Sequence, residues 1–348
     1  MAQDRGRKYL DWCLIVLINF MWATQAPVIK WIGSRLGPVA IAFIPMIVST
    51  LMFLPALWME NRRRHRTFHW RWQDARHFLI AGLFGIFLLQ FAYTLGAQRT
   101  LAANAGIITL TIPVFVAIAA SVLLQERLNW VRIASFLLAL LGVLLTSASD
   151  LKSSDLLHGR YLTGNLIFLL ACAGCGFYNT YCKLLVEKHY TEMEILVYTS
   201  VIGSLASVPL FIWMEPFHLA QFEAAGPVGF WGILELSLIV YGISMLLFFN
   251  ILKRLDVTQA ILGNYLLPFF IGLLAVVFLR ESITPAMAFG GGVIVVSTLI
   301  LTVFEQDLIE LFAAEKRHPA AAAETLREKA PELDKTVPEG TRHPDNSL

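Results

Sequence analysis

Apolar runs of about 20 residues recur ten times along this chain, and nothing else in the sequence limits its fold so tightly. An α-helix rises about 1.5 Å per residue, so crossing roughly 30 Å of hydrocarbon takes about 20 apolar residues. The runs cover 11–32, 37–58, 78–97, 102–124, 131–148, 162–183, 193–214, 231–250, 258–279 and 286–304. Lipid offers backbone N–H and C=O groups no partner, so a spanning segment must be a helix or part of a closed barrel. A barrel strand alternates in polarity, and Phe78-Leu79-Ile80-Ala81-Gly82-Leu83-Phe84 does not. Hydrophobic residues make up 57% of the 348 and Asp, Glu, Lys and Arg 15%. Soluble chains carry about 45–50% and about 25%. The expected fold is all-α, a polytopic membrane protein of ten transmembrane helices. The first run follows Arg5, Arg7 and Lys8 and superficially resembles a signal peptide. It contains Trp22 and Gln25, however, and reaches Lys30 without a small-x-small cleavage site, so it reads as a retained span.

Lys and Arg in the connections set the orientation. With residue 1 in the cytoplasm, the inside segments 1–10, 59–77, 125–132, 183–190, 252–256 and the membrane-proximal tail hold 17 of them. The outside segments 30–36, 98–101, 149–161, 215–230 and 280–285 hold six. Arg62, Arg63, Arg64, Arg66, Arg71 and Arg76 supply most of the bias, and attraction to anionic lipid is the simplest role for their loop. That Arg- and Trp-rich stretch lies between two apolar runs, so it reads as a membrane-flanking loop and not as a nucleic-acid surface. Residues 1–10 are then a cytoplasmic tail, 149–161 a linker, and 305–348 a cytoplasmic tail. Pro, Ala, Glu and Lys dominate the C-terminal part of the chain, which predicts disorder there.

Cys13, Cys172, Cys175 and Cys182 all fall in apolar runs and read as packing residues. Cys172-x-x-Cys175 is a redox signal only in a soluble βαβ setting. All eight histidines lie in loops or tails, which leaves no His-based metal cluster within the membrane. No cofactor is expected. No set of His or acid pairs occurs at a spacing useful for catalysis, so no enzyme is expected either.

A repeat is written into the spacing. Pro113 precedes Glu126 by thirteen residues, and Pro268 precedes Glu281 by thirteen. One offset of 155 superimposes both pairs and aligns Arg99 with Arg254, Asn104 with Gln259, Ala105 with Ala260 and Thr109 with Asn264. A slightly different offset sets Lys30 on Lys183. Each copy, 11–148 and 162–304, holds five spans, and an odd number makes the second enter the membrane from the opposite side, an inverted repeat. Within a helix proline removes the hydrogen bond to the carbonyl four residues earlier and kinks the chain. Those carbonyls belong to Thr109 and Asn264, so Pro113 and Pro268 mark either a binding or gating element or a repaired structural kink. Glu126 and Glu281 end their helices against the dipole, with the adjacent Arg127 and Arg280 as candidate compensation and an anchoring role.

Ionisable groups inside a bilayer are expensive, so each is a functional candidate. Glu235 is the best carboxylate: a coupling residue, or one that snorkels to the interface from about one turn inside the eighth span. The uncharged set is larger. Asn19, Trp22 and Gln25 fall on one side of the first span. The third offers Gln90 and Tyr93, the sixth Tyr178 and Asn179, and the eighth Ser237, Tyr241 and Ser244. With Thr109 and Asn264 they predict a neutral, aromatic-lined cavity. Interhelical hydrogen bonding alone also accounts for any one of them. Gly290-Gly291-Gly292 reads as a close-packing face.

Three motifs resemble the EamA-type branch of the drug/metabolite transporter superfamily over residues 11–304. They are Phe20-Met21-Trp22 with Lys30, Ala103-Asn104-Ala105 with Pro113 and Glu126, and Thr258-Gln259-Ala260 with Pro268 and Glu281. The resemblance implies a ten-helix fold with both termini cytoplasmic, a central cavity between two EamA-like repeats, and export or import of small organic solutes. The chain departs from the family at Ala23, where relatives carry Gly after the Trp, and in the second span, which lacks the Arg common there. The expected function is a secondary transporter in the cell inner membrane that exports amino-acid-like or related amphipathic metabolites by alternating access. The alternatives are a non-transporting sensor or scaffold docking through Arg62–Arg76, and an importer of sugar-like or nucleotide-linked solutes. The expected partners are a small-molecule substrate and the lipid bilayer, with a homodimer left open and nucleic acid excluded. Accessibility labelling is expected to place residue 1 and the segment after residue 304 both on the cytoplasmic face; opposite faces would mean an odd number of spans.

Overall fold

The computed structural model of the chain describes residues 2–63, 71–124, 130–146, 161–215, 219–252 and 266–302. The tail 305–348, most of the 149–161 linker and part of the basic loop lie outside the described residues, as do Glu126, Arg254, Gln259 and Asn264. Within them all regular structure is helical. Six helices are long and apolar enough to cross a bilayer: Cys13–Ile32, Pro38–Arg63, Trp72–Arg99, Leu162–Glu187, Glu192–Trp213 and Glu223–Phe248. A further pair, Ala102–Thr109 and Ile112–Leu123, is bent by 42° at a short break. Ile133–Thr146, Leu267–Leu279 and Pro285–Ser297 are shorter apolar helices. The chain is thus a multi-pass membrane protein.

Proline explains two of the breaks. The first span is α1 (Ala2–Ala23) and α2 (Gln25–Ile32) joined at Thr24. Pro27 has no N–H to return to the carbonyl of Ala23, so the helical ladder lapses there. After α3 (Pro38–Arg63), α4 (Ala75–Ile80) runs through a π-helical stretch, Ala81–Phe87, into α5 (Leu88–Arg99). Next come α6 (Ala102–Thr109) and α7 (Ile112–Leu123). At Pro113 the chain bends by 42° over Leu110 and Thr111, whose N–H groups make i→i+3 bonds to the carbonyls of Ile107 and Ile108. Proline then occupies the first turn of α7, where its missing N–H costs nothing.

The rest of the chain repeats these features. It consists of α8 (Trp130–Thr146), α9 (Leu162–Glu187), α10 (Glu192–Trp213), α11 (Leu219–Glu235), a π-helical stretch Leu236–Ile243, α12 (Ser244–Leu252), α13 (Leu267–Leu279) and α14 (Pro285–Thr302). The π stretches begin at 81 and 236, and α7 and α13 at 112 and 267. Each pair is 155 residues apart. Within α11, Gly226 takes φ 61°, a left-handed conformation open to glycine, and Pro227 restarts the helix.

Lipid tails are as apolar as leucine, so helices associate through close packing and polar contacts more than through the hydrophobic effect. The central buried cluster takes Ala23, Ala26 and Ile29 from the first span, Ala97 from α5 and Ala105 and Ile108 from α6. Phe168 and Cys172 of α9, Leu236 and Tyr241 of the second π region and Ile271 of α13 also belong to it. Small residues allow the approach. A Cβ on Gly96 would lie 2.7 Å from the Phe168 backbone nitrogen, and one on Gly164 2.5 Å from the Arg99 carbonyl. Gly96→Ala is therefore expected to lower stability by about 1–3 kcal/mol, the cost of overpacking a tight contact. Gly292→Ala, which meets nothing within 4 Å, is expected to leave it unchanged. Thermal unfolding of the detergent-solubilised chain compares the two.

Candidate functional site

The first, third and eighth spans meet through a line of uncharged hydrogen bonds. Gln25 donates from Nε2 to the Tyr241 hydroxyl at 2.7 Å, and that hydroxyl donates to Gln90 Oε1 at 2.7 Å. Trp22, nearly one turn before Gln25, donates its indole N–H to Ser244 Oγ at 2.9 Å and sets its ring edge-on to Phe248, centroids 5.2 Å apart. Ser244 passes its own proton to the Val240 carbonyl. Five of the residues singled out in the sequence for polarity within apolar runs thus share one contact zone, Trp22, Gln25, Tyr241 and Ser244 with Gln90 across from them.

The remaining candidates lie around this zone. Tyr93 is half-buried, with its ring 4.6 Å from that of Phe168. Asn19 is buried and donates to the Ile15 carbonyl, leaving Oδ1 without a partner. Thr109 is buried at the end of α6 with its hydroxyl turned back onto the Gly106 carbonyl. Tyr178 of α9 meets Thr199 Oγ1 at 3.0 Å and packs beside Gly85. Asn179, its neighbour, is exposed and reaches only Cys175 Sγ, at 3.5 Å. Pro268 stands in the first turn of α13, and Asn264 lies outside the described residues.

Glu235 is half-buried and reaches toward the first span. It closes α11 at the start of the π stretch, and its Oε1 meets the Thr24 hydroxyl at the break in the first span. Its Oε2 is buried and has no partner. Thr24 itself went unrecognised in the sequence, although Pro27 three residues on is a signal for a break at that point.

Charges tie the helix ends. Lys30 Nζ sits 2.7 Å from Glu281 Oε1, and the same carboxylate accepts the N–H groups of Ala102 and Ala103 at 3.0 Å each. Glu281 thus neutralises a lysine and caps the positive end of α6. The sequence suggested Arg280 as its compensation; the structure gives Lys30 instead, while Arg280 adopts the left-handed conformation that ends α13, φ 54°. Glu215 caps α3 in the same manner, accepting from Val39 at 2.8 Å and Ala40 at 3.3 Å. Burial raises its carboxyl above the ordinary value, and the N–H groups of Val39, Ala40 and Gly37 pull the other way. Asp74 holds Lys188 at 2.9 Å and accepts from the Tyr190 hydroxyl at 3.1 Å.

A model of the EamA-like transporter family matches residues 11–148 and 162–303. Among curated proteins the chain is similar to a probable terminal-alkyne amino-acid exporter of Streptantibioticus cattleyicolor, 24% identical over 293 residues, covering 83% of this chain and 92% of that one. It is also similar to an S-adenosylmethionine uptake transporter of Rickettsia conorii, 22% identical over 306 residues, 85% of this chain and 92% of the relative. A crystal structure with 20% identity superimposes at a TM-score of 0.56 over 85% of this chain and 97% of its own, a likeness of fold.

Removing Glu281 strips Lys30 of its counter-charge and two helix N–H groups of their acceptor. Glu281→Ala is expected to cost about 3–5 kcal/mol, as for a buried ion pair broken on one side. Glu281→Gln, which keeps a carbonyl oxygen for α6, is expected to lose less. Equal losses in chemical unfolding of the two variants would show that the cap contributes nothing.

Proposed function

The chain belongs to the EamA-like transporter family, and from that membership we propose that it is a secondary carrier exporting small amphipathic metabolites across the cytoplasmic membrane by alternating access. The carrying observation is the contact zone of Trp22, Gln25, Gln90 and Tyr241, where uncharged and aromatic side chains of three spans meet at helix breaks. Such a lining offers hydrogen bonds and ring faces without fixed charge, which suits solutes with an apolar body and a polar handle. Asn19, Tyr93, Thr109, Tyr178, Asn179 and Asn264 extend the solute path in this reading. The family and the relatives are transporters and not enzymes.

The reading takes the six long helices, the broken pair and the three shorter apolar helices as ten crossings, five on each side of the 149–161 linker. The 155-residue recurrence of π stretches and helix starts supports treating the two sets of five as copies of one unit. An odd number of crossings per copy reverses the second, and both termini then lie in the cytoplasm. Rocking of one half against the other would expose the zone to each side in turn, and the Lys30–Glu281 tie would open in one of the two states.

One similar protein is named an amino-acid exporter and another an uptake transporter, so the amino-acid-like solute class has support and the outward direction is taken from the first. Proteoliposomes containing the purified chain are expected to move labelled amino acids from a broad metabolite panel, and Trp22→Ala and Asn264→Ala to reduce the flux about tenfold or more, a change of about 1.4 kcal/mol. Absence of both flux and thermal-shift binding across the panel would overturn the reading. A sensor or scaffold would bind a partner through the Arg62–Arg76 loop and move no solute.

A further inference from the structure

Glu235 is half-buried, and its buried oxygen Oε2 has no partner and takes no part in the helix-end ties. Glu281 and Asp74 each face a lysine, and Glu215 and Glu194 accept helix N–H groups. Glu235 has no ion-pair partner among the described residues, and its single hydrogen-bond contact is with Thr24. That contact is short of a proton. The Thr24 hydroxyl lies 2.7 Å from the Met21 carbonyl, which can only accept. An ionised carboxylate can only accept as well. One hydroxyl proton cannot serve both oxygens fully, and a protonated carboxyl group supplies the second proton that the arrangement lacks.

Among the described residues, the other ionisable side chains on the surrounding elements do not supply the charge. Tyr241, on the same span, is committed to Gln25 and Gln90. Lys30 of α2 is paired with Glu281, and Arg35 donates to the Ala225 carbonyl. Glu60, Arg62 and Arg63 belong to the last turn of α3, with Arg62 over the Trp58 ring, and Glu223 adds only a second negative charge to α11. Tyr93 of α5 is half-buried against Phe168. An ionised Glu235 in this packing would be an uncompensated charge away from water, a state that carboxylates escape by protonation.

We propose that Glu235 is the proton-binding residue of this carrier, and that solute movement is coupled to its protonation through Thr24. This rests on the transporter reading and deepens it by naming the coupling ion. A proton from water binds a carboxylate oxygen of Glu235; the resulting O–H donates to Thr24 Oγ, and the Thr24 proton remains with the Met21 carbonyl. Loss of the proton to water leaves two acceptors facing one donor, so Thr24 must leave either Met21 or Glu235. Both partners stand at weak points of their helices. Thr24 is the break between α1 and α2, and Glu235 is the last residue before the π stretch, whose i→i+5 bonding is rare and recurs at functional sites. Protonation therefore holds the first and eighth spans together in the present arrangement, and deprotonation frees them to move.

The test reads the proton first and the flux second. Infrared difference spectra of the full chain in lipid, titrated from about pH 5 to about pH 9, where buried glutamates deprotonate, are expected to show a protonated carboxyl band that disappears on deprotonation. Glu235→Gln, whose amide N–H replaces the acid O–H toward Thr24, is expected to fold and to lack that band. Thr24→Val is expected to keep the band and move it to the frequency of a carboxyl with no hydrogen bond. That shift separates proton carriage from a merely structural role. In proteoliposomes, export of labelled L-phenylalanine and of its deaminated analogue 3-phenylpropanoate is expected to depend on pH in the wild type and to be insensitive to it in Glu235→Gln. A band that survives Glu235→Gln, or an unchanged pH dependence of flux, overturns the proposal while leaving the carrier reading intact. A variant that loses only the amine-bearing solute and retains the pH response overturns it in favour of ammonium recognition. A wild type that moves neither solute nor any other in the panel removes the carrier reading, and the infrared band alone then decides whether Glu235 holds the proton.

Discussion

Hydrocarbon accepts no hydrogen bond, and that single restriction organises this protein. Every backbone group in a span must find its partner within the chain, so the spans are helices. Wherever a proline or an irregular turn interrupts a helix, a polar side chain must come forward. Thr24 stands at the break ahead of Pro27 and gives its hydroxyl to Met21. Thr111 does the same for Ile108 ahead of Pro113. The breaks therefore collect the polar groups, and a pathway for solutes made of such groups costs the fold little beyond what the breaks already demand.

Between the helices the adhesive is close contact, and at their ends it is charge. Gly96, Gly164 and Gly174 bring the third and sixth spans within van der Waals reach of each other's backbones. The ion pair of Lys30 with Glu281, the cap of Glu215 on α3 and the cluster of Asp74, Lys188 and Tyr190 lie at helix termini. There a carboxylate meets exposed N–H groups and a lysine, and its desolvation is offset by several partners at once. Glu235 has neither advantage, which is why it stands apart from the other carboxylates.

The gross fold was legible in the sequence because hydrophobic length is a one-dimensional signal. The long helices fall on predicted runs, with edges moved by a few residues; the third begins at Trp72 and the second runs on to Arg63. The offset of 155, read from Pro113, Glu126, Pro268 and Glu281, reappears in the starts of the two π stretches, which were never used to find it. Partners were not legible. Sequence spacing pairs Glu281 with its neighbour Arg280, whereas the fold delivers Lys30 from 251 residues away. Polarity in an apolar run marked Trp22, Gln25, Gln90 and Tyr241, but only three dimensions join them into one line, and Asn179 carries the same signal yet is exposed. Thr24 carried no signal of its own, since a threonine in a membrane helix commonly satisfies itself on the preceding turn.

The two proposed halves share a backbone plan and differ in chemistry, and the difference bears on mechanism. At the repeat spacing of 155 Glu235 falls on Ile80, and at the slightly smaller offset of 153 Lys30 falls on Lys183. Glu235 and Ile80 both immediately precede a π stretch, so the structural weak point exists twice and the ionisable group once. Gln25 falls near Tyr178, which bonds Thr199 on α10, where Gln25 bonds Tyr241 across the centre. A symmetric pair of carboxylates would place two charges in the same apolar interior and double the desolvation cost. One carboxylate at one of two equivalent joints lets a single protonation event bias one half against the other. In the proposed carrier, whose halves share a backbone plan, that asymmetry gives one protonation event a direction in which to act.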